Sequence, residues 1–231
     1  MKKVAKKTTK KKQGKFIVIE GTDGSGKGTQ VLKLVERLRK EGKQVEIADF
    51  PQHGQPSGFF VSKYLRGEYG SGEDVGPYRG SLFYALDRYD KSFDIKRWLK
   101  EGKYVIANRY VSANMGHQAG KIDNLKKRDE YLSWLHDLEY GIFDLPKPDQ
   151  TIFLFVPPEI GQTLVDKKKA REYTKGKKRD IHENDLKHLQ KASKAYFYVA
   201  KKYGWTTIDC TRKGEMLSRE EIHDVIYSHI S

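Results

Sequence analysis

Short apolar runs alternate with longer amphipathic stretches along this chain. Phe16 to Glu20 (FIVIE) is a continuous apolar run, the pattern of a strand buried on both faces. Gly-rich sequence follows, and then Val31, Leu34, Val35 and Leu38 recur at i, i+3, i+4 and i+7, predicting a helix that ends near Gly42. Gln44 to Phe50 reads as a second strand. A Gly/Pro-punctuated stretch runs to about Gly76, with a short helix over Phe59 to Leu65. Pro77 sits at the first position of a long helix to about Lys100, whose core stripe is expected at Leu82, Leu86, Tyr89 and Phe93. Tyr104 to Asn108 is a third strand, Leu125 to Tyr140 a helix, and Thr151 to Val156 a fourth strand. A helix opens at Pro158, and another runs from about Glu183 to Tyr203. Thr206 to Asp209 is a fifth strand, and Ser218-x-x-Glu221 is a capping box for the last helix. The alternation predicts an α/β fold: a doubly wound, five-stranded parallel sheet with helices on both faces. Such sheets bind ligands beyond the carboxyl ends of their strands, so the residues after strands one, two and three carry the interest.

Charge changes the picture once it is located. The 231 residues carry a formal +14, which invites a nucleic-acid partner. Residues 1 to 15 hold eight lysines and no acid, and residues 167 to 179 hold eight Lys or Arg against Glu172 alone. The other 203 residues come to −1. The expectation is a near-neutral globule with a disordered Lys-rich tail over 1–14 and a domain over 15–231. Nucleic acid then meets at most the tail, non-specifically. The single Cys210 excludes an internal disulfide and a Cys-based zinc site. No run approaches eighteen apolar residues, and the first residues show neither a secretory h-region nor a presequence composition. The expected location is cytoplasmic.

After the first strand stands Gly21-Thr22-Asp23-Gly24-Ser25-Gly26-Lys27-Gly28-Thr29, a G-x-x-x-x-G-K loop. Glycines let the backbone N–H groups turn toward phosphate oxygens, Lys27 adds a point charge, and the helix N-terminus favours the anion. The position between an apolar strand and an amphipathic helix distinguishes it from an ordinary glycine turn. Gly28 stands where Ser or Thr usually follows the lysine, with Thr29 one residue later. The metal ligand therefore stays open, Asp23 and Thr29 being candidates.

The loop EGTDGSGKGTQ resembles that of thymidylate (dTMP) kinases, and further matches follow in order: DFP at Asp49 to Pro51, LFYALDR at Leu82 to Arg88, NRYVSANMGHQ at Asn108 to Gln118, LPKPD at Leu145 to Asp149, and a basic segment leading into RDIHE at Arg179 to Glu183. This ordered series identifies the chain as a member of that family, with a P-loop kinase fold and a basic lid over about 167–182. The resemblance implies ATP as co-substrate, Mg²⁺, dTMP as acceptor and a homodimer.

Each site residue has its own chemistry. Tyr84 and Arg88, spaced i,i+4, share a helix face roughly opposite the expected core stripe. Alone they would be a surface cation–π pair; the resemblance implies that Tyr84 stacks on thymine and Arg88 donates to its carbonyl. Arg109, at a strand end, suits a monophosphate through its planar fork. Asn114 can donate and accept, as reading a base edge requires. His117 lies where the family often places an aromatic beneath the deoxyribose, and Asp23 resembles the carboxylate that accepts from the 3′-hydroxyl. Phe50 and Pro51 are expected to wall the pocket. The departures are Asn108 where the family has Asp, Gln52 where many relatives have Arg, and Gly24 where some supply an Arg. The transition-state cation is then expected from the lid, Arg171 or Arg179 first and Lys175 or Lys177 after them. The alternatives are a kinase of another nucleoside monophosphate or of a deoxynucleoside, and a nucleic-acid-binding P-loop ATPase.

Overall fold

The structure is a computed structural model that describes residues 13–166 and 186–230. In chain order the elements are β1 (Lys15–Gly21), α1 (Lys27–Lys40), β2 (Val45–Asp49), α2 (Phe59–Leu65), α3 (Gly72–Lys100), β3 (Tyr104–Asn108), α4 (Val111–His117), α5 (Leu125–His136), β4 (Gln150–Phe155), α6 (Pro158–Asp166), α7 (Leu186–Tyr203), β5 (Thr206–Asp209), β6 (Thr211–Arg212), β7 (Glu215–Met216) and α8 (Arg219–Ser228). Strands one to five form the expected parallel sheet in the order β2-β3-β1-β4-β5, and β6 and β7 make a small antiparallel hairpin. That hairpin and α4 lay below the periodicity signal, its strands being two residues long and α4 seven.

β1 explains the layering. Phe16, Ile17, Val18 and Ile19 are all wholly buried, but they look in opposite directions. Phe16 and Val18 join Val105, Ala107, Tyr110, Met115, Tyr131 and Leu135 on one face. Ile17 and Ile19 join Leu34, Val35, Leu38, Ile152, Ile222 and Ile226 from α1, β4 and α8 on the other. A continuous apolar strand is thus the signature of two cores, one per face.

The long helix is oriented differently from the expectation. Ser71 and Asp74 form a capping box at its start, and Gly76 (φ 72°, ψ 169°) breaks it so that Pro77 opens the continuous segment. The expected core stripe is not in the core: Leu82, Leu86, Tyr89 and Phe93 are all exposed, Phe93 by 59%. Ser81, Ala85, Asp87, Arg88, Ser92 and Ile95 are buried instead. Arg88, expected to face away from the core, is 1% exposed. Tyr84 and Arg88 do share one face, but that face turns inward, because polar partners wait there to satisfy it. A further difference lies after α5, which ends at His136 and continues as a π-helical turn over Asp137–Ile142 rather than as regular helix.

Close approach fixes α4 against α7. A Cβ added to Gly116 would lie 2.2 Å from the Tyr196 ring, whereas one added to Gly141 meets nothing within 4 Å. Gly116→Ala is expected to lower stability by about 1–3 kcal/mol through overpacking, with Gly141→Ala close to neutral. Chemical denaturation of both variants checks this.

Candidate active site

The phosphate loop spans the gap between β1 and α1. Gly24 and Gly26 both hold φ 81°, the left-handed conformation that only glycine adopts without strain. A Cβ on Gly24 would also lie 2.2 Å from the Gly161 carbonyl oxygen, and one on Gly161 would lie 2.4 Å from the Asp23 carbonyl oxygen. Two facing glycines therefore let the loop and α6 touch backbone to backbone. No side chain, arginine included, fits at position 24 without moving α6.

Lys27 is buried, and its Nζ donates to the carbonyl oxygens of Gly21 (2.9 Å) and Thr22 (2.8 Å), 4.0 Å from Asp23 Oδ1. Ser25 Oγ is buried with no hydrogen-bond partner among the described residues. Thr29 is half-buried and Gly28 exposed on the first turn of α1.

Sequence reading passed over the carboxylate that ties this region together. Glu20, wholly buried at the end of β1, accepts from Gly21 N–H (2.9 Å) and the Tyr196 hydroxyl (3.0 Å) at Oε1 and from Ser112 Oγ (2.8 Å) at Oε2. Arg109 Nη1 also reaches it at 3.4 Å. A single acid after four apolar residues carries no periodic signal, and only the donors that meet it mark its role.

Arg109 follows β3 with φ 65°, an uncommon backbone for a non-glycine residue. Its Nη2 donates to Asp23 Oδ1, and its Nη1 meets His117 Nε2 at 3.0 Å. Burial opposes the Arg109 charge, but Asp23 above all, with Glu20 behind it, outweighs burial and raises its pKa further. An arginine only donates, so His117 Nε2 must be unprotonated. Burial, and then the Arg109 charge, hold the His117 pKa well below its ordinary value of 6.5. The His117 ring stacks on His188 at 5.7 Å and stands edge-on to Tyr196 at 5.5 Å.

The second group lies where α3 meets α4 and the π turn. Arg88 makes a two-pronged ion pair with Glu139 (2.6 Å through Nε, 2.5 Å through Nη2) and reaches the Tyr110 carbonyl at 3.3 Å. Asn114, also buried, donates from Nδ2 toward the Ser81 carbonyl (3.3 Å) and Glu139 Oε1 (3.4 Å). Tyr84 is half-buried, its ring 6.2 Å from that of Tyr64. Gln52 donates through its backbone N–H (2.9 Å) and its amide (3.2 Å) to Asp87 on α3, so it braces the loop after β2. Phe50 is core, 5.7 Å from the Tyr110 ring, which leaves Pro51 the more open of the two expected wall residues.

Asn108 Nδ2 donates to Asp49 Oδ1 at 2.8 Å across the paired ends of β3 and β2, and burial raises the Asp49 pKa against the lowering effect of that bond. The structure thus brings Asp23, Lys27, Arg109 and His117 together in one group and Arg88 and Asn114 in another. The lid candidates Arg171, Lys175, Lys177 and Arg179 lie outside the described residues.

Comparison with known proteins places the chain in a family. The family model described as Thymidylate kinase matches residues 19–222. The chain is 32% identical over 219 residues to a thymidylate kinase of Plasmodium falciparum, covering 94% of this chain and 92% of the relative. It is 31% identical over 224 residues to one of Halothermothrix orenii, covering 94% and 97%. A solved structure of thymidylate kinase from Candida albicans has a TM-score of 0.72 at 22% identity, covering 94% of this chain and 91% of that one, a likeness of fold.

The neutral His117 has a consequence for pH. Its folded pKa is depressed, so the unfolded chain takes up the proton first, and stability falls as pH drops through about 6.5. Between pH 7.5 and 5.5 His117 alone is expected to cost about 1 kcal/mol. His117→Gln keeps an acceptor and should flatten the pH dependence of denaturation by about that amount.

Proposed function

The chain belongs to the thymidylate kinase family, ATP-dependent enzymes that phosphorylate dTMP to dTDP, and we propose how its residues divide that task. The observation that carries the reading is the contact between Asp23 of the phosphate loop and Arg109 at the end of β3. It joins the element suited to the donor's phosphates to the element suited to the acceptor's phosphate.

Residues 21–29 cradle ATP, with Lys27 leaving its loop carbonyls for the β/γ-phosphates. Ser25 Oγ, which has no partner among the described residues, supports the cradle, since a phosphate oxygen would satisfy it. Arg109 takes the dTMP phosphate through its fork. Glu20 and His117 hold that fork from behind, and Asp23 exchanges its arginine for the sugar 3′-hydroxyl. Pro51 and, beneath it, Phe50 wall the pocket. Tyr84 stacks on the base, and Arg88 and Asn114 read its edge. The dTMP phosphate is already anionic at neutral pH, so attack on the γ-phosphorus needs no general base. Alignment and charge neutralisation carry the step.

The donor set fits Mg²⁺ carried on the nucleotide. Such an ion needs one or two protein oxygens beside phosphates and water. Among the described residues no cluster of three metal-ligating side chains exists, yet Asp23 and Thr29 offer oxygens at the loop. When bound there, Mg²⁺ would neutralise charge on the β- and γ-phosphates.

We further propose that residues 167–182 form the lid. The helix α6 touches the phosphate loop at Gly161 and runs five residues on to Asp166, about 7.5 Å of helix, after which the basic segment follows in sequence. With position 24 closed to a side chain, Arg171 or Arg179 supplies the transition-state cation. The surface of α3 supports the homodimer reading. Its exposed stripe of Leu82, Leu86, Tyr89 and Phe93, with exposed Phe59 and Phe60 of α2, is the apolar face that a second copy would cover. The cytoplasmic placement rests on Cys210 being the single cysteine, which leaves no internal disulfide to form and suits a reducing compartment.

Initial rates with ATP across dTMP, dUMP, dCMP and AMP test the central reading. Preference for dTMP over AMP by at least a hundredfold is expected, and parity would overturn it. Arg171→Ala or Arg179→Ala should lower kcat tenfold or more with dTMP KM little changed; unchanged turnover in both removes the lid cation. Leu86→Glu should convert a dimer to monomers in sedimentation velocity. A natural protein that sediments as a monomer removes the dimer.

A further inference from the structure

Glu139 is a carboxylate with no exposed surface, set on the π-helical turn, a local distortion common at functional sites. Burying a charge is costly unless geometry is excellent, and here both carboxylate oxygens are used. Oε2 accepts from Arg88 Nε, and Oε1 accepts from Arg88 Nη2 and, at 3.4 Å, from Asn114 Nδ2. One residue therefore orients both side chains that the proposed function assigns to the base edge. It reaches no phosphate-site residue among the described contacts.

The chemistry of these contacts fixes a polarity. The neighbours of the Asn114 amide on this side are the Ser81 carbonyl and the Glu139 carboxylate, both of which only accept. The NH₂ must face them, and Oδ1 is turned away as an acceptor. The scaffold behind is stiff: Ser81 Oγ and the Tyr131 hydroxyl share a hydrogen bond of 2.6 Å, and Tyr131 reaches the Asn114 carbonyl at 3.4 Å. Of the five N–H groups of Arg88, two go to Glu139 and one to the Tyr110 carbonyl, which among the described residues leaves two as donors.

We propose that Glu139 is a specificity-determining positioning residue: it sets the edge of the base site as donor at Arg88 and acceptor at Asn114 Oδ1. This pattern matches a 4-oxo pyrimidine, whose O4 accepts and whose N3–H donates. A 4-amino pyrimidine reverses both groups, placing donor against donor and acceptor against acceptor, and sites with fixed hydrogen-bonding groups reject such a mismatch strongly. The inference rests on the base lying against Arg88 and Asn114. It goes beyond that reading in naming the group that makes their polarity one-way.

The test compares dTMP with 5-methyl-dCMP, which differs only at position 4 and the N3 proton. In the natural enzyme kcat/KM should favour dTMP by at least a thousandfold. In Glu139→Gln the carboxamide can also donate, so the Asn114 amide can turn round; the ratio should fall at least tenfold, through dTMP KM, with ATP KM within twofold. Glu139→Asp keeps an acceptor-only group and should retain more of the ratio than Glu139→Gln. Equal loss for both nucleotides, with the ratio intact in folded variants, overturns the proposal. Should the variants fail to fold, ¹⁵N3-labelled dTMP bound to the natural enzyme decides: a slowly exchanging imino proton supports an acceptor at Oδ1, and its absence refutes one. A natural enzyme that does not turn over dTMP at all would instead refute the underlying reading, a result distinct from an unchanged ratio.

Discussion

The group of residues around the glycine loop depends on one buried carboxylate. Glu20 closes β1, the central strand, whose apolar residues are committed to two cores. A charge in that position is tolerable only with donors on every side, and four are supplied: the adjacent Gly21 N–H and, from distant parts of the chain, Ser112 Oγ, the Tyr196 hydroxyl and Arg109 Nη1. Each donor belongs to a different element. The phosphate loop, the start of α4, the helix α7 and the end of β3 are thus drawn to one point. Arg109 keeps its uncommon backbone conformation within that convergence, which is how strain at functional sites is usually held.

A second carboxylate repeats the device where α3 meets α4. Glu139 draws Arg88 of α3 and Asn114 of α4 to the π turn, as Glu20 draws Arg109 and Ser112 to β1. Both α4 residues come from one seven-residue helix, so the two networks are linked through a short rigid element. That helix is itself pressed on Tyr196 at Gly116. The phosphate and the base of one nucleotide would therefore be read from a common frame.

The reversal of α3 shows how such networks override pattern. Periodicity alone assigns the apolar stripe of Leu82, Leu86, Tyr89 and Phe93 to the core, since removing apolar surface from water is ordinarily the dominant driving force of folding. Here the opposite face carries Asp87 and Arg88, which find Gln52, Ser57 and Glu139 inside. Once those partners exist, burying the polar face is no longer expensive. The apolar stripe is released to the surface, where it remains available to a second copy of the chain.

Local signals in the sequence determined the succession of the five sheet strands and the longer helices, the glycine loop, the cap at Ser218 that pins the last helix, and the motif positions of the candidate site. These depend on near neighbours, whose geometry is set by backbone sterics and hydrogen bonds a few residues apart. Only the tertiary structure decided which face of α3 turns inward and why position 24 must be glycine, a matter of the distant Gly161 lying against it. It alone revealed Glu20 and Glu139, because a single acidic residue has no periodic signature. What marks such a residue is the set of donors that meets it after folding, and those donors are brought together by long-range packing that no local pattern records.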